Sequence, residues 1–367
     1  MRPSVLILPL HRRDAGRKAI LVAFAVASAL TLALFALLAN ASFLAMTACA
    51  QPAVERFVLQ GGRIEICDLA GAVRVVQGSG ARAEVLVTRG GADAARLRVE
   101  QGERGGESRL HVIFPGSHVV YPRARPWSAM HGWGSTTLTV GADGCLGHQD
   151  HLALGGHRVT VSGSGPGLHA WADVELRLPR GCQTALRLGV GEVSALGVDG
   201  DLTLDVAAAP VEAERTSGTL VVDTGSGGVV LRGNQGDISV DTGSGGVEAT
   251  DVRGDRLKVD TGSGSVRLDG VRSERIEVDT GSGGVRLDLL AAPRSLLVDT
   301  GSGGVTIVGP ASLGAVVELE AGSGGIETDY TMTVMSKERG YLRGTIGDGR
   351  GHIKVDTGSG GVRLIQR

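Results

Sequence analysis

The residues best suited to chemistry in this sequence are aspartates within the pentapeptide Asp-Thr-Gly-Ser-Gly. The pentapeptide occurs six times, beginning at Asp223, Asp241, Asp260, Asp279, Asp299 and Asp356. An aspartate before Thr-Gly-Ser is typical of aspartic proteases, in which two carboxylates on separate lobes share one proton. Neighbouring copies here lie 18 to 20 residues apart, apart from the last. Copies this close cannot supply two lobes, so the spacing argues against proteolysis.

A fixed period indicates a stacked architecture, in which each unit is too small to bury its apolar face alone. A degenerate copy of the motif begins at Glu320, and related segments extend upstream to Leu186. Glycine accounts for 59 of the 367 residues. Because the apolar residues between the glycines alternate regularly, we interpret the glycines as turn residues of a folded protein rather than as a sign of disorder.

One unit, residues 256–271, shows how such a stack is built. Leu257 and Val259 alternate with the polar Lys258 and Asp260, which is the pattern of a strand with one buried face. We expect the glycines after Asp260 to supply the positive φ angles of a tight corner, and its Asp and Thr to bind backbone amides beyond the corner. The motif is therefore predicted to be structural rather than catalytic.

The sequence predicts an all-β fold: a parallel β-solenoid (β-helix-like) of short strands with Gly-Ser-Gly corners, preceded by an N-terminal hydrophobic helix. A ladder of β-hairpins or a β-sandwich is the alternative. Near-identical corners favour parallel stacking, because like residues then fall on like. The predicted regions are 1–50 (signal peptide or membrane anchor), 51–114 (N-terminal β-strand region), 115–172 (irregular aromatic and His-rich insertion or cap) and 173–367 (solenoid repeats).

Parallel stacking would place the six motif aspartates and Glu320 along one edge. Carboxylates at one layer spacing repel each other and raise each other's pKa. Amide donors at the corners would offset this repulsion, and bound Ca²⁺ is the second candidate because calcium takes carboxylate and carbonyl oxygens. We favour amide capping. We therefore expect no cofactor on this edge, with Ca²⁺ as the alternative.

The first fifty residues differ from the rest. Five basic residues precede an uncharged apolar run over residues 19–50, which is long enough to span a membrane. Three fates are open: cleavage of a signal peptide near Ala48, lipidation of Cys49 in a degenerate lipobox, or a retained anchor. All three predict that the rest of the chain is exported to the periplasm or cell envelope, with membrane association through this segment alone.

Charge and cysteine content limit the partners and the compartment. Residues 1–50 carry five basic residues and one acidic residue, so the formal charge of −2 becomes −6 without them. This balance argues against nucleic acid as a partner, since binding it requires concentrated positive charge. Export also permits one disulfide. Among Cys67, Cys145 and Cys182 we favour Cys145–Cys182, which would tie a loop-rich segment to the repeats.

Between residues 115 and 172 the periodicity is lost. Four aromatic residues in or next to this segment form a candidate binding surface, and they are Tyr121, Trp127, Trp133 and Trp171. Aromatic side chains often anchor interfaces. The alternatives are a cap that closes the end of the stack and a disordered insert. Three histidines, His148, His151 and His157, could offer imidazoles to Zn²⁺, but their spacing is loose and we favour solvated loop histidines.

The array of VDTGSGGV repeats, with the preceding segment ADVELRLPRGCQTALRLGVGEV at 172–193, resembles the bacterial putative-adhesin family of β-strand-repeat proteins. This family is otherwise described as a domain of unknown function. The segment RFVLQGGRIEICDLAGAVRVV at 56–76 resembles its start, so the match covers about 54–367. The resemblance implies an exported envelope β-solenoid, and it carries over no catalytic residues.

These observations predict a non-catalytic scaffold, adhesin-like or binding module of the bacterial envelope, with an envelope protein or a glycan as partner. One alternative is a sensory ectodomain that signals through a membrane partner, because residues 1–18 are too few for an output domain. Another is a polysaccharide-active β-helix enzyme, which would need a compact acid/base pair in place of a one-edge row of acids.

Overall fold

A computed structural model describes residues 54–122, 134–147 and 156–367. These residues form 27 strands and one 3-10 turn, Ala94–Arg96, so the predicted all-β class is confirmed. No helix within the described ranges is long and apolar enough to cross a membrane. The predicted N-terminal helix, Cys49, Trp127, Trp133, His148 and His151 lie outside the described residues.

The first nine strands surround the beginning of the stack. They are β1 (Val54–Leu59), β2 (Arg63–Gln77), β3 (Ala83–Gly90), β4 (Arg98–Arg104), β5 (Glu107–Ile113), β6 (His118–Val120), β7 (Ser135–Val140), β8 (His157–Ser162) and β9 (Trp171–Leu178).

The remaining strands carry the repeats. They are β10 (Cys182–Leu196), β11 (Gly200–Ala208), β12 (Val211–Glu214), β13 (Leu220–Thr224), β14 (Val229–Arg232), β15 (Ile238–Thr242), β16 (Val247–Thr250), β17 (Arg253–Thr261), β18 (Val266–Thr280), β19 (Val285–Leu289), β20 (Ser295–Thr300), β21 (Val305–Gly309), β22 (Ala315–Ala321), β23 (Ile326–Thr328), β24 (Met332–Glu338), β25 (Tyr341–Ile346), β26 (Gly351–Thr357) and β27 (Val362–Gln366).

Parallel pairing stacks these strands into layers, each with one strand before the corner and one after it. Within the described ranges the stacking order is β2, β10, β11–β12, β13–β14, β15–β16, β17 with the start of β18, the end of β18 with β19, β20–β21, β26–β27 and β22–β23. Like residues do fall on like: Asp241 pairs with Asp260, and Thr242 with Thr261.

The core of the stack follows the predicted alternation. The inward-facing Leu257, Val259, Val266 and Leu268 are at most 1% exposed. The same positions are apolar in the layers above and below, so each layer adds its Val, Leu or Ile side chains to one continuous core. No single layer could bury these residues alone, which is why the repeats must stack to fold.

The last layers are stacked out of sequence order. The C-terminal pair β26–β27 lies between β20–β21 on one side and β22–β23 on the other. The hairpin β24–β25 then pairs antiparallel with β22 and extends that edge. The chain therefore passes over one layer position, turns back through the hairpin, and fills the gap with its final residues.

The corner glycines allow the backbones of neighbouring layers to approach closely. They do not supply positive φ angles, so the sequence-based expectation is wrong on this point. None of the glycines in the six Asp-Thr-Gly-Ser-Gly corners has a positive φ. A Cβ at Gly283 would instead lie 1.8 Å from the carbonyl oxygen of Gly264 in the layer below, and one at Gly264 would lie 1.9 Å from that of Gly245. The backbones meet so closely at these corners that no side chain fits between them.

A long excursion separates the first two layers. Residues 78–181 leave the stack after β2 and return at β10. On its free side, β2 pairs in parallel with β5 near its start and with β9 near its end. The antiparallel strands β4, β3 and β1 extend these pairings, and β6, β8 and β7 form a separate small sheet. The end of the stack is thereby covered.

Candidate functional site: the aspartate row and the buried cysteine cluster

The motif aspartates form one continuous row across the layers, as predicted. We call Asp223, Asp241, Asp260, Asp279, Asp299, Asp356 and Glu320 the aspartate row. Each residue pairs in register with the same position of the next layer, in the order Asp223, Asp241, Asp260, Asp279, Asp299, Asp356, Glu320. Because strand neighbours lie about 4.8 Å apart, the row is a linear array of carboxylates.

Repulsion between the carboxylates of the row shows in the raised pKa values of Asp241 and Asp279, as expected. Burial first, and then the carboxylates of Asp260 and Asp299, raise the pKa of Asp279 above its usual value, against a lowering by Lys258. The pKa of Asp241 is raised in the same way by burial and by its neighbours in the row. At neutral pH the row therefore opposes the stacking of the layers that carry it.

Threonine, rather than aspartate, caps the corner. The hydroxyl of Thr280 donates to the carbonyl of Gly264 in the layer below at 3.0 Å and accepts from the amide of Gly283 at 3.0 Å. The corner threonines are at most 1% exposed, and they are Thr224, Thr242, Thr261, Thr280, Thr300 and Thr357. Within the described chain, the carboxylates of Asp241, Asp260 and Asp279 make no hydrogen bond. The amide capping predicted for them is wrong.

The row borders a shallow groove near the C-terminal end of the stack. The groove is lined by Glu277, Val278, Asp279, Leu297, Val298, Asp299, Lys354 and Asp356. Leu297 is 41% exposed there. No three carboxylates of the row, as far as the structure describes it, have oxygens within 4.8 Å of one another. Calcium on this edge stays a prediction, and this geometry does not favour it.

Followed toward the N-terminus, the same position changes its chemistry. Asp223 pairs with Asp205, Asp205 with Arg187, Arg187 with Cys67, and Cys67 with His111. The acidic row thus continues into the half-buried Arg187 and then into the buried Cys67 and His111. The change coincides with the excursion, which covers the outer face of β2.

A buried cluster of four side chains lies at this end. Glu65, Cys67, His111 and Cys145 bring a carboxylate oxygen, two sulfurs and a ring nitrogen within 4.8 Å of one another. We call these residues the cysteine cluster. Glu65 and Cys67 lie on β2, His111 lies on the adjacent β5, and Cys145 lies in the turn after β7. That turn is fixed where the carbonyl of Asp143 binds His111 Nδ1 at 3.0 Å.

Cys145 forms a disulfide with Cys67, with a Cα–Cα distance of 5.1 Å, so the favoured Cys145–Cys182 pairing is wrong. The turn after β7 folds over the outer face of β2 and places Cys145 against Cys67. Cys182 begins β10 with its side chain in the core, where it is a buried free thiol. Burial raises the pKa of that thiol, which makes it a poor nucleophile.

Two arginines hold the carboxylate of the cluster. Arg109 Nε lies 2.8 Å from Glu65 Oε2, and Arg187 binds Glu65 Oε1. The contact with His111 Nε2, 3.4 Å from Glu65 Oε2, is the largest cause that lowers the pKa of Glu65, to about 2, and the arginines add to it against burial. Burial would lower the pKa of His111, but Glu65 and Asp143 outweigh it and raise that pKa.

The other candidate residues are dispersed. Tyr121 is buried and packs edge-on against the half-buried Trp171, with ring centroids 6.2 Å apart. Both rings therefore pack within the excursion. His157 is an exposed residue at the start of β8, and within the described ranges it belongs to no metal-ligating group.

Glu65 and His111 were missed from the sequence. Alternation places Glu65 and Cys67 on one face of β2, and Arg109 and His111 on one face of β5. These pairs were the available signal, but a polar face normally lies in water. Their burial depends on a turn that lies 78 residues after Cys67 in the chain.

The chain belongs to the Toastrack DUF4097 family, which matches residues 164–364, more than half of the sequence. The resemblance drawn from the repeats is therefore confirmed. No curated protein matches the chain.

Two solved structures are similar in part. A putative cell adhesion protein from Clostridium sporogenes is 12% identical, and the comparison covers 86% of this chain and 100% of the other with a TM-score of 0.26. A putative adhesin from Bacteroides fragilis is 8% identical, with 86% and 97% covered and a TM-score of 0.37.

Proposed function

We propose that the protein is a non-catalytic, exported β-solenoid of the bacterial cell envelope that acts as a scaffold or adhesin-like binding module. The observation that carries this proposal is the aspartate row. It is a linear array of carboxylates on the outer face of a rigid stack, and within the described chain those of Asp241, Asp260 and Asp279 do not cap the corners.

A comparison of two rows on the same face supports a role in binding. The neighbouring outward row varies freely from layer to layer, with Val221, Ser239, Lys258, Glu277 and Leu297 in successive layers. The aspartate row does not vary over the same layers, although its repulsion costs stability. A binding face that presents regularly spaced negative charge fits a partner with cationic groups, such as an envelope protein or a charged glycan.

The arrangement also argues against the enzyme alternative. Hydrolysis of a glycosidic bond uses two carboxylates whose environments push their pKa values apart. The row aspartates occupy equivalent positions, and the pKa values of Asp241 and Asp279 are shifted in the same direction. The sensory alternative needs a membrane partner, and the same experiment would identify one.

Crosslinking in intact cells tests the proposal. The variant Asp241→Asn/Asp260→Asn/Asp279→Asn removes three adjacent charges and keeps the shapes of the side chains. Arg267→Gln/Arg286→Gln is the matched control, because these exposed residues stand in register on the strands after the corner. All forms must first be shown to reach the envelope and to fold.

We expect the wild type and the arginine control to capture the same partner and the aspartate variant to lose it. Capture of the same partner by all three would move the binding site away from the row. Turnover of envelope glycans by the wild type that is abolished in Asp260→Asn would replace the proposal with the enzyme alternative.

A further inference from the structure

We propose that the cysteine cluster is a redox-controlled site for a thiophilic divalent cation such as Zn²⁺. The disulfide Cys67–Cys145 occupies the site when the protein is oxidised. Once the disulfide is reduced, the two sulfurs, His111 and Glu65 form the ligand set. This inference is independent of the proposed binding role of the aspartate row.

The ligand types and their spacing fit such a cation. Two cysteines, one histidine and one carboxylate are ligands that Zn²⁺ takes in tetrahedral geometry, with bonds of about 2.0–2.3 Å and hence ligand atoms about 3.3–3.8 Å apart. The four ligand atoms already lie within 4.8 Å of one another, and all four residues are buried. Cys145 lies in a turn, so the sulfurs can separate once the bond is broken.

The histidine is oriented as a metal ligand. His111 Nδ1 lies 3.0 Å from the carbonyl oxygen of Asp143. A carbonyl only accepts, so Nδ1 carries a proton, and Nε2 faces the cluster, where it can bind a metal ion once it has released any proton of its own. Metal-bound histidines usually donate their other ring N–H to a carbonyl or carboxylate in this way. His111 is 7% exposed, and Nε2 has no hydrogen-bond partner within the described chain.

The remaining contacts also leave room for a cation. Nε2 faces Glu65 Oε2 at 3.4 Å, so a positive charge is favoured between these two atoms, and either a proton or a metal ion can supply it. Arg109 and Arg187 orient Glu65 from the outside, and a carboxylate has lone pairs for both arginines and a metal. Arg187 Nη1 also lies 3.6 Å from Cys145 Sγ, where it favours the thiolate.

The exchange between the two states balances in charge and in electrons. A dithiol donates two electrons and two protons, becomes a disulfide, and breaks the Cys67–Cys145 bond to give two thiols. Zn²⁺ then displaces both thiol protons, and the proton of His111 Nε2 where the ring is charged, to solvent. Zn²⁺ with two thiolates is neutral, as the disulfide is. The carboxylate of Glu65 therefore stays neutralised by Arg109 and Arg187 in both states. A disulfide oxidant accepts the two electrons in the reverse direction and releases the metal.

The test is metal binding by the full chain purified in detergent, in the presence and absence of a phosphine reductant. We expect the reduced protein to bind one Zn²⁺ through the cluster and the oxidised protein to leave this site empty. Co²⁺ should give the thiolate-to-metal absorption of a sulfur-ligated site in the reduced wild type. This spectrum needs no variant, so it reports on the site even if a substitution prevents folding.

Variants assign the ligands. His111→Gln should weaken Zn²⁺ binding at least about tenfold, and Cys145→Ser should abolish the Co²⁺ thiolate band. Cys182→Ala and His157→Gln should bind as the wild type does, because neither residue belongs to the cluster. Circular dichroism under reducing conditions checks that each variant is folded.

Three outcomes would overturn the proposal. The first is the absence of metal uptake by the reduced wild type. The second is unchanged uptake in both His111→Gln and Cys145→Ser. The third is uptake that is lost in His148→Ala/His151→Ala but kept in His111→Gln, which would assign the metal to the loop histidines.

Discussion

The corner of the first layer and the corners of the repeat layers align residue for residue but carry different side chains. In register, Asp68 stands where Thr224 stands in the repeats, and Cys67 stands where Asp223 stands. In the repeats the inner position is a hydroxyl that caps the layer below, and the outer position is an exposed carboxylate. In the first layer both positions are buried.

The difference follows from what covers each corner. The outer face of the repeats is open to water, so it can carry a row of acids. The excursion covers the outer face of β2, and any polar group there must find a partner or pay for its burial. On this face Glu65 is held by arginines. At the buried inner position, Asp68 Oδ2 has no hydrogen-bond partner among the described residues. Unusual chemistry therefore concentrates where the repeat is interrupted.

The largest effect on stability is expected from a substitution in a repeat corner. Gly283→Ala places a Cβ 1.8 Å from the Gly264 carbonyl, so the layers must separate, and we expect a loss of about 3 kcal/mol or more in the free energy of unfolding. Urea denaturation followed by circular dichroism measures the loss.

Gly284→Ala is the matched control in the same corner. Its Cβ would lie 3.6 Å from the nearest backbone oxygen, an ordinary contact. Its effect should stay below about 1 kcal/mol. Equal stability of the two variants would show that the corners can spread. One natural layer already has an alanine, Ala209, in register with these glycines, and it lacks the corner threonine. Equal stability would mean that the other corners can adopt the same wider spacing.

The first layer is tested through Asp68. Burial, and then the nearby Asp173, raise the pKa of Asp68 well above its usual value. The folded state therefore binds this proton more tightly than the unfolded state, and stability falls as pH rises from the unfolded pKa through the folded one. Asp68→Asn should raise the free energy of unfolding at pH 7 by about 1–3 kcal/mol.

The gain from Asp68→Asn should disappear below the ordinary aspartate pKa of about 3.9, where the wild-type carboxyl is protonated in both states. Urea midpoints at pH 7 and pH 3.5 measure this. A gain of equal size at both values would mean that shape rather than charge is responsible.

The row of corner threonines is tested by Thr280→Val, which keeps the shape of the side chain and removes its hydroxyl. The carbonyl of Gly264 and the amide of Gly283 then lose their partner, and we expect a loss of about 1–2 kcal/mol. Ser282→Ala in the same corner is exposed and should change stability by less than about 0.5 kcal/mol. Two equal losses would refute a special role for the threonine row.

The smallest effect is expected in the aspartate row. Asp279→Asn should stabilise the protein at pH 7 by about 0.5 kcal/mol or less, because the raised pKa of this exposed group is screened by solvent. The gain should vanish at pH 3.5 and shrink in high salt. Glu248→Gln removes a charge from the strand after the corner and should show no such gain. A loss of stability in Asp279→Asn would mean that the row supports the fold.

Much of the stack could be predicted from the sequence because each layer repeats the same local pattern. The alternation around Leu257 and Val259 gave the buried face, and the identical corners gave the parallel register. The sequence could not show why the corners contain glycine, because a close approach of two backbones and a positive φ angle both require this residue. The cysteine cluster depends on β5 pairing with β2 and on a distant turn, and neither pairing leaves a periodic signal.

The insertion of β26–β27 has a consequence for how the chain is completed. β22 leaves the ribosome, or the export channel, before β26 does, and both pair with their neighbours in one common register. Glu320 could therefore settle opposite Asp299 before Asp356 arrives. Strands β26 and β27 would then have to displace this neighbour, so we expect the stack to be completed here by a strand exchange. A chain cut before Gly351 would keep the shorter stack and escape this exchange.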